Sequence, residues 1–224
     1  MITRECLASA QIPGGEELRL YSHDRDFMIL LKRDELMSTR MRGSEEALAV
    51  QTIARLDGGK AARLLIGGYG MGFTLRAALA ALDGEAHVTV AELVPEIIEW
   101  ARGPMAELTA GCLDDPRVTL EVRDVADAIG AVTASFDAIL LDVDNGPDGV
   151  VRKANDLLYS RAGLATAFGA LRPRGVLAVW SAAPDPGFTR RLRGAGFEVE
   201  MVPVKARPNG KGPRHVIWFA RRPG

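Results

Sequence analysis

Two carboxylates, Asp142 and Asp144, lie at the end of the apolar run "FDAILLDVD" (136–144). Residues two apart on an extended strand point to the same face, so both side chains are expected to face one site. A carboxylate there can take a proton from an amine or hydroxyl nucleophile, or orient that nucleophile beside the carbon it attacks. The pair is therefore the candidate catalytic site. The alternative for Asp142 is a structural one, in which it only accepts hydrogen bonds from loop N–H groups.

A glycine-rich stretch earlier in the chain, "RLLIGGYGMGF" (63–73), has the form of a ligand-binding turn. Gly67, Gly68, Gly70 and Gly72 stand where an apolar run gives way to an Ala/Leu-rich stretch. Small residues let the backbone approach a ligand, and a following helix offers free N–H groups. A dinucleotide fingerprint needs a third glycine where Phe73 stands. The G-x-G-x-G spacing is instead typical of enzymes that bind S-adenosylmethionine, and it predicts that cofactor.

Two further acids close the next two strand-like runs. Glu92, followed by Leu93, ends a run at a point where a carboxylate can accept hydrogen bonds from both ribose hydroxyls. Asp124, followed by Val125, ends the next run, where Asp can accept from the adenine amino group. Ligands of open α/β sheets bind outside the carboxyl ends of the strands, so these residues are expected beside the glycine turn and complete the predicted cofactor site.

Strand-like and helix-like runs alternate from residue 63 onward, which predicts right-handed crossovers and a mostly parallel sheet. The strand-like runs are 63–68, 87–93, 117–124, 136–144, 175–182, 197–205 and 215–222, and the helical stretches are 72–82, 95–108, 125–132, 156–171 and 186–196. The link "ARPNGKGPR" between the last two runs leaves no room for a helix and predicts an antiparallel hairpin. The predicted fold class is α/β, with a Rossmann-like seven-stranded sheet that ends in this hairpin.

The segment before residue 63 predicts a small N-terminal unit. "ELRLYSHDRDFMILLKR" (17–33) is typical of a short β-hairpin, and "SEEALAVQTIARL" (44–56) of a helix capped by Ser44 with Glu45 and Glu46 in its first turn. We expect the hairpin and helix to form a unit over residues 1–58 and the cofactor-binding domain to cover 59–224. The hairpin is the candidate contact for a possible homodimer.

Composition excludes several classes of function. The formal net charge is -1, whereas a nucleic-acid binder would carry a basic excess, so no nucleic-acid partner is expected. No stretch approaches 18 uninterrupted apolar residues and the N-terminus has no apolar leader, so no membrane association is expected. Cys6 and Cys112 are far apart and in no metal-ligand spacing, which predicts no metal and a reducing, cytoplasmic location.

Four segments together resemble the spermidine synthase group, whose members are aminopropyltransferases with the S-adenosylmethionine-dependent methyltransferase fold. They are "LLIGGYGMGFTLRAAL", "VAELVPEIIEWAR", "DDPRVTLEVRDVADAI" and "FDAILLDVDNGPDG". The resemblance implies decarboxylated S-adenosylmethionine as donor and a polyamine as acceptor. Asp142 matches the group's catalytic acid. The group's other acids are replaced: Gly70 stands at the acid of its GGGDGG loop, and Asn145 at the second acid of its DSSDP motif. Its Tyr-His-Glu segment falls near "RGSEEALA" (42–49), which has no tyrosine or histidine.

These replacements shape the expected function, because a polyamine is a polycation whose pocket needs several fixed carboxylates. The first expectation is a small-molecule methyltransferase that uses S-adenosylmethionine. The alternative is aminopropyl transfer from the decarboxylated cofactor, and a second alternative is a nucleoside-binding protein without catalysis. A cation or amide at the amino-acid end of the pocket indicates the full cofactor, and an apolar or acidic surface the decarboxylated one. The loop 145–156 is a plausible lid over the site.

Overall fold

The N-terminal part of the chain forms a small antiparallel sheet. The structure, a computed structural model, describes residues 4–57, 61–143 and 155–224. The strands β1 (Glu5–Gln11), β2 (Glu17–His23), β3 (Asp26–Leu31) and β4 (Asp34–Ser38) pair in the order β1-β2-β3-β4. The predicted hairpin corresponds to β2 and β3, and the prediction missed β1 and β4. The β3–β4 turn is difficult to predict because Lys32, not glycine or asparagine, adopts its left-handed backbone (φ 55°).

The large sheet has seven strands. They are β5 (Arg63–Gly67), β6 (His87–Glu92), β7 (Val118–Val122), β8 (Phe136–Leu141), β9 (Leu171–Ser181), β10 (Glu198–Lys205) and β11 (Arg214–Arg221). Their order across the sheet is β10-β11-β9-β8-β5-β6-β7. The strands β5 to β9 are parallel to one another, while β11 lies antiparallel between β9 and β10. The predicted fold class is therefore confirmed.

Helix α1 (Gly43–Ile53) lies between the small sheet and the large one in sequence and shares a core with both. Its buried Leu48 and Ala49 belong to one apolar cluster with Leu20 of β2 and Ile217 of β11. The prediction of Ser44 as N-cap is wrong. Arg42 occupies that position without a side-chain cap bond, and the buried Ser44 hydroxyl forms a 2.8 Å hydrogen bond with His215 Nδ1. The division of the chain at 58/59 stays a prediction, as does the homodimer.

The remaining helices connect the strands of the large sheet. They are α2 (Phe73–Ala81), α3 (Pro95–Arg102), α4 (Ala106–Thr109), α5 (Val125–Gly130), α6 (Asn155–Leu158), α7 (Arg161–Ala170) and α8 (Pro186–Gly194). Two predicted helices are each divided. Gly103 and Pro104 end α3 and separate it from α4, because proline disfavours helical backbone before it. Ser160 begins α7 as an N-cap that accepts a hydrogen bond from Gly163 N. No helix of the described residues is long and apolar enough to cross a membrane.

Candidate active site

The candidate site lies where the strand order changes direction. The chain runs from β5 to β6 on one side and from β8 to β9 on the other, so the crossovers leave a crevice between the carboxyl ends of β5 and β8. A cavity opens at this crevice. It is lined by the glycine turn, by the ends of β6, β7 and β8, and by side chains of α1 and the N-terminal sheet. Seven of the predicted site residues line it: Gly68, Gly70, Glu92, Leu93, Asp124, Val125 and Asp142.

The glycine turn brings the backbone close to β8. Gly68 has a φ of +84°, and a Cβ atom there would lie 2.6 Å from the carbonyl oxygen of Asp142. Gly70 has a φ of +54°, and a Cβ atom would lie 2.6 Å from Met37 Cε. Gly68 therefore requires glycine on steric and conformational grounds, because the clash is with backbone. At Gly70 the left-handed backbone favours glycine, and the neighbouring atom is the flexible end of Met37. Gly67 and Gly72 are not among the lining residues. A Cβ atom at Gly67 would face Val125 instead, and one at Gly72 would face the Tyr69 ring.

Glu92 holds the glycine turn in place and also faces the cavity. Its carboxylate is only 5% exposed. One oxygen accepts a hydrogen bond from Tyr69 N at 2.8 Å and the other from Val94 N at 2.9 Å. Burial raises the pKa of this carboxyl, against the opposite effect of the N–H donors. A carboxylate has about four acceptor positions, so Glu92 can still accept from a ligand.

Asp124 follows β7 and has a structural role of its own. It is the N-cap of α5, where one carboxylate oxygen accepts from Ala126 N at 2.9 Å. The half-buried side chain and its neighbour Val125 line the same cavity as Glu92. The two predicted nucleoside acids are therefore brought together.

Asp142 lies directly beyond β8 on the opposite side of the glycine turn. Its carboxylate accepts a 3.0 Å hydrogen bond from Thr74 Oγ1 of α2. Burial raises the pKa of the Asp142 carboxyl to about 6, despite the opposing effect of the Thr74 donor. The proposed partner Asp144, together with Asn145 and the loop 145–154, lies outside the described residues.

Glu45 is the site residue that sequence reasoning missed. We expected it only as an acid of the first helical turn, but the residue is 6% exposed and lines the cavity. Burial, and secondly the negative charge of Asp142, raise the pKa of the Glu45 carboxyl well above its usual range. A signal was available in the helical spacing, because Glu45 shares a face with Leu48, Ala49 and Thr52, all of them buried.

The rest of the cavity wall is apolar. Ile12, Leu18, Ile29, Leu36 and Met37 of the N-terminal sheet and its turns form one side, and Trp180 of β9 another. Among the described lining residues there is no Lys, Arg, His, Asn or Gln. The described cavity is thus a mixed surface of carboxylates and apolar groups.

Comparisons with known proteins show the family to which this chain belongs. The family model described as "Spermine/spermidine synthase domain" matches residues 50–185. The chain belongs to this family. A polyamine aminopropyltransferase from Mycobacterium tuberculosis is 30% identical over 194 residues, which cover 83% of this chain and 34% of that protein. One from Pectobacterium carotovorum is 33% identical over 87 residues, covering 39% of this chain and 30% of the relative. The chain spans about a third of the length of these curated relatives.

Solved structures of the family share the fold. Spermidine synthase from Thermotoga maritima superposes with a TM-score of 0.74 at 20% identity, covering 97% of this chain and 72% of that one. A spermidine synthase in complex with the transition state analogue AdoDATO gives a TM-score of 0.78 at 21% identity, with 97% and 73% covered. The family membership supports the alternative interpretation, aminopropyl transfer, better than the methyl transfer that we expected first.

Proposed function

We propose that this protein transfers an aminopropyl group from decarboxylated S-adenosylmethionine to a small cationic amine. The observation that carries the proposal is the cavity surface, with carboxylates and apolar side chains but no cation or side-chain amide among the described lining residues. The full cofactor ends in a carboxylate, and burying that group in a cavity whose described charged lining residues are all acids would leave like charges without compensation. The decarboxylated form ends in an ammonium group, which such a surface stabilises.

The nucleoside is assigned to the glycine turn and the ends of β6 and β7. Gly68 and Gly70 line the cavity, so the sulfur-bearing part of the donor can rest against their backbone. Glu92 would accept from the ribose hydroxyls, and Asp124 from the adenine amino group. Leu93 and Val125 line the cavity next to these acids and would pack against the adenine ring.

Transfer then needs a displacement at carbon. The lone pair of the acceptor nitrogen attacks the aminopropyl carbon that is bonded to the sulfonium sulfur. The C–N bond forms while the C–S bond breaks, and its electron pair stays on sulfur, which leaves as the neutral thioether 5′-methylthioadenosine. The nitrogen loses one proton, and Asp142 is the nearest candidate to accept it. The leaving group is already activated, so positioning the nitrogen within about 3–3.5 Å of the carbon is the main task of the protein.

Asp142 suits this role because its pKa of about 6 is close to neutral pH. A general base works best when its pKa lies near the working pH. The Thr74 hydroxyl fixes one carboxylate oxygen and leaves the other available. Asp144 stays proposed as a second acid of the acceptor site.

The test has two steps. Isothermal titration calorimetry compares S-adenosylmethionine, its decarboxylated form and 5′-methylthioadenosine, and we expect the last two to bind more tightly than the first. Mass spectrometry then follows product formation on a panel of diamines, triamines and monoamines, where an aminopropyl group and a methyl group differ in mass. A preference for the full cofactor together with a methylated product would refute the proposal. Nucleoside binding without turnover on any acceptor would favour the non-catalytic alternative.

A further inference from the structure

Glu45 is an acid on the buried side of a helix. It projects from the buried face of α1, one helical turn before Leu48 and Ala49, and is 6% exposed. Its Oε2 atom is buried and has no hydrogen-bond partner among the described residues. A buried carboxylate oxygen without a donor is costly, which indicates that a group outside the described residues supplies the donor.

Asp142 faces the same space from the end of β8. Thr74 links the two acids: its hydroxyl donates to Asp142 Oδ2 at 3.0 Å and lies 3.5 Å from the backbone oxygen of Glu45. In the described part of the chain, no Lys, Arg or His forms an ion pair with either carboxylate within 4.0 Å. The buried Glu45 and the half-buried Asp142 therefore form a pair of carboxylates without a counter-charge among the described residues.

A buried pair of carboxylates has two ways to avoid repulsion. It can hold one proton between them, or it can bind a cation. An ammonium group carries a positive charge and up to three N–H donors, so it can serve both acids at once. The apolar side chains of Ile29, Leu36 and Trp180 line the same cavity and suit the alkyl part of an amine.

From this geometry we infer that Glu45 and Asp142 together bind one cationic nitrogen, with Glu45 as the second carboxylate of the amine site. This inference rests on the proposed function and assigns to it a residue that directly contacts the substrate. Glu45 would hold this nitrogen while Asp142, fixed by Thr74, accepts the proton that the nitrogen must lose before its lone pair can attack.

The test is Glu45→Gln, with Glu46→Gln as the matched control. Glutamine keeps the size of the side chain and removes its charge. Glu46 is the next residue on α1, but its carboxylate is 39% exposed and pairs with Arg42 at the surface. Both variants and the wild type are titrated first with 5′-methylthioadenosine and then, at saturation, with 1,4-diaminobutane.

We expect Glu45→Gln to weaken diaminobutane binding by about 10- to 100-fold, the effect of one hydrogen bond to a charged group. The affinity for 5′-methylthioadenosine should change less than twofold, and Glu46→Gln should leave both affinities unchanged. Equal diamine binding by the wild type and Glu45→Gln overturns this inference but leaves the proposed function intact. A wild type that binds the nucleoside but no amine overturns both.

A second measurement separates amine binding from a purely structural role. If the free pair holds a proton, an arriving ammonium must displace it, so titrations in buffers of different ionisation enthalpy should detect proton release. Among the described residues, Asp142 beyond β8 and Glu46 on α1 act on Glu45. Glu92 and Asp124 line the same cavity, and His215 of β11 bonds to the neighbouring Ser44. Proton release should be present in the wild type and Glu46→Gln and absent in Glu45→Gln. Identical release in all three proteins contradicts a shared amine site.

Discussion

Asp142 provides the sharpest test of the proposed chemistry, because its ionisation can be followed through the rate. With a pKa of about 6, the carboxyl is roughly nine-tenths ionised at pH 7 and one-tenth ionised at pH 5. If the carboxylate is the general base, its contribution to the rate should fall about tenfold between these two pH values. Asp142→Asn keeps the size and the hydrogen bond to Thr74 but removes the base, so turnover should fall by on the order of 10²–10⁴.

The acceptor amine also titrates, and its own protonation lowers the rate at low pH. Dividing the wild-type rate by the Asp142→Asn rate at each pH removes this contribution, since both proteins act on the same amine. We expect the ratio to rise with pH through a midpoint near 6 and to level off above pH 7. The assay is the initial rate of 5′-methylthioadenosine release, measured by liquid chromatography with saturating donor between pH 5 and pH 9.

Thr74→Val supplies an independent control on the same carboxylate. The Thr74 hydroxyl stabilises the ionised form of Asp142, so its removal should raise the pKa of this carboxyl. The midpoint should therefore lie at higher pH when the Thr74→Val rate, instead of the wild-type rate, is divided by the Asp142→Asn rate. A flat ratio, or a midpoint that does not respond to Thr74→Val, would show that Asp142 is not the titrating base. If nucleoside affinity collapses together with the rate in Asp142→Asn, the acid belongs to the donor pocket.

Three further predictions follow from the same geometry. Glu92→Ala should weaken 5′-methylthioadenosine binding by about 1.5–3 kcal/mol in calorimetry. It should also lower the melting temperature, because two backbone N–H groups lose their acceptor. Unchanged affinity would show that Glu92 does not bind the ribose. NAD(P) should not bind, because Phe73 stands where a dinucleotide site needs glycine; submillimolar affinity in a titration would contradict this. The folded-state pKa values of Asp142 and Glu45 are raised, so the folded chain binds more protons than the unfolded one. The free energy of unfolding should therefore decrease as pH rises from 4 to about 6, by roughly 2–3 kcal/mol for Asp142 alone. Urea denaturation of Glu45→Gln should show a smaller decrease with pH, and an equal decrease would refute the interaction between the two acids.

The positions that we assign to the cofactor could be found from the sequence because they follow local patterns. The glycine turn, Glu92 and Asp124 each come directly after an apolar strand-like run. Parallel strands bring such positions to one edge whatever the rest of the chain does. The strand ends were predicted within about three residues for β5 to β8, and the cavity lies at the crevice that this topology dictates.

The residue that we propose for the acceptor, Glu45, could not be found in the same way. Glu45 is next to Glu46 in sequence and in the same first helical turn, yet one lines the cavity and the other pairs with Arg42 at the surface. The two glutamates differ because one face of α1 packs against the large sheet and the other does not. This packing joins residues that are far apart in sequence, such as Ser44 and His215, which form a hydrogen bond. Local propensity contains no information on such a contact. Only the helical spacing of Glu45 with Leu48 indicated that an acid faced inward.

Position 70, where the family has an acid and this chain has glycine, gives a physical reason for an acid at Glu45. The family's loop has an acid at this position, whereas here the Met37 side chain of β4 occupies the adjoining space, with Cε 2.6 Å from where a Cβ atom would be. Met37 also accepts a 3.2 Å hydrogen bond from Met71 N through its sulfur, so an acid at position 70 would have to displace a packed side chain. With glycine at 70, this turn supplies no carboxylate to the cavity. An amine site in this cavity must obtain its second negative charge from another element, and of the described residues Glu45 of α1 is the one that offers a buried carboxylate beside Asp142.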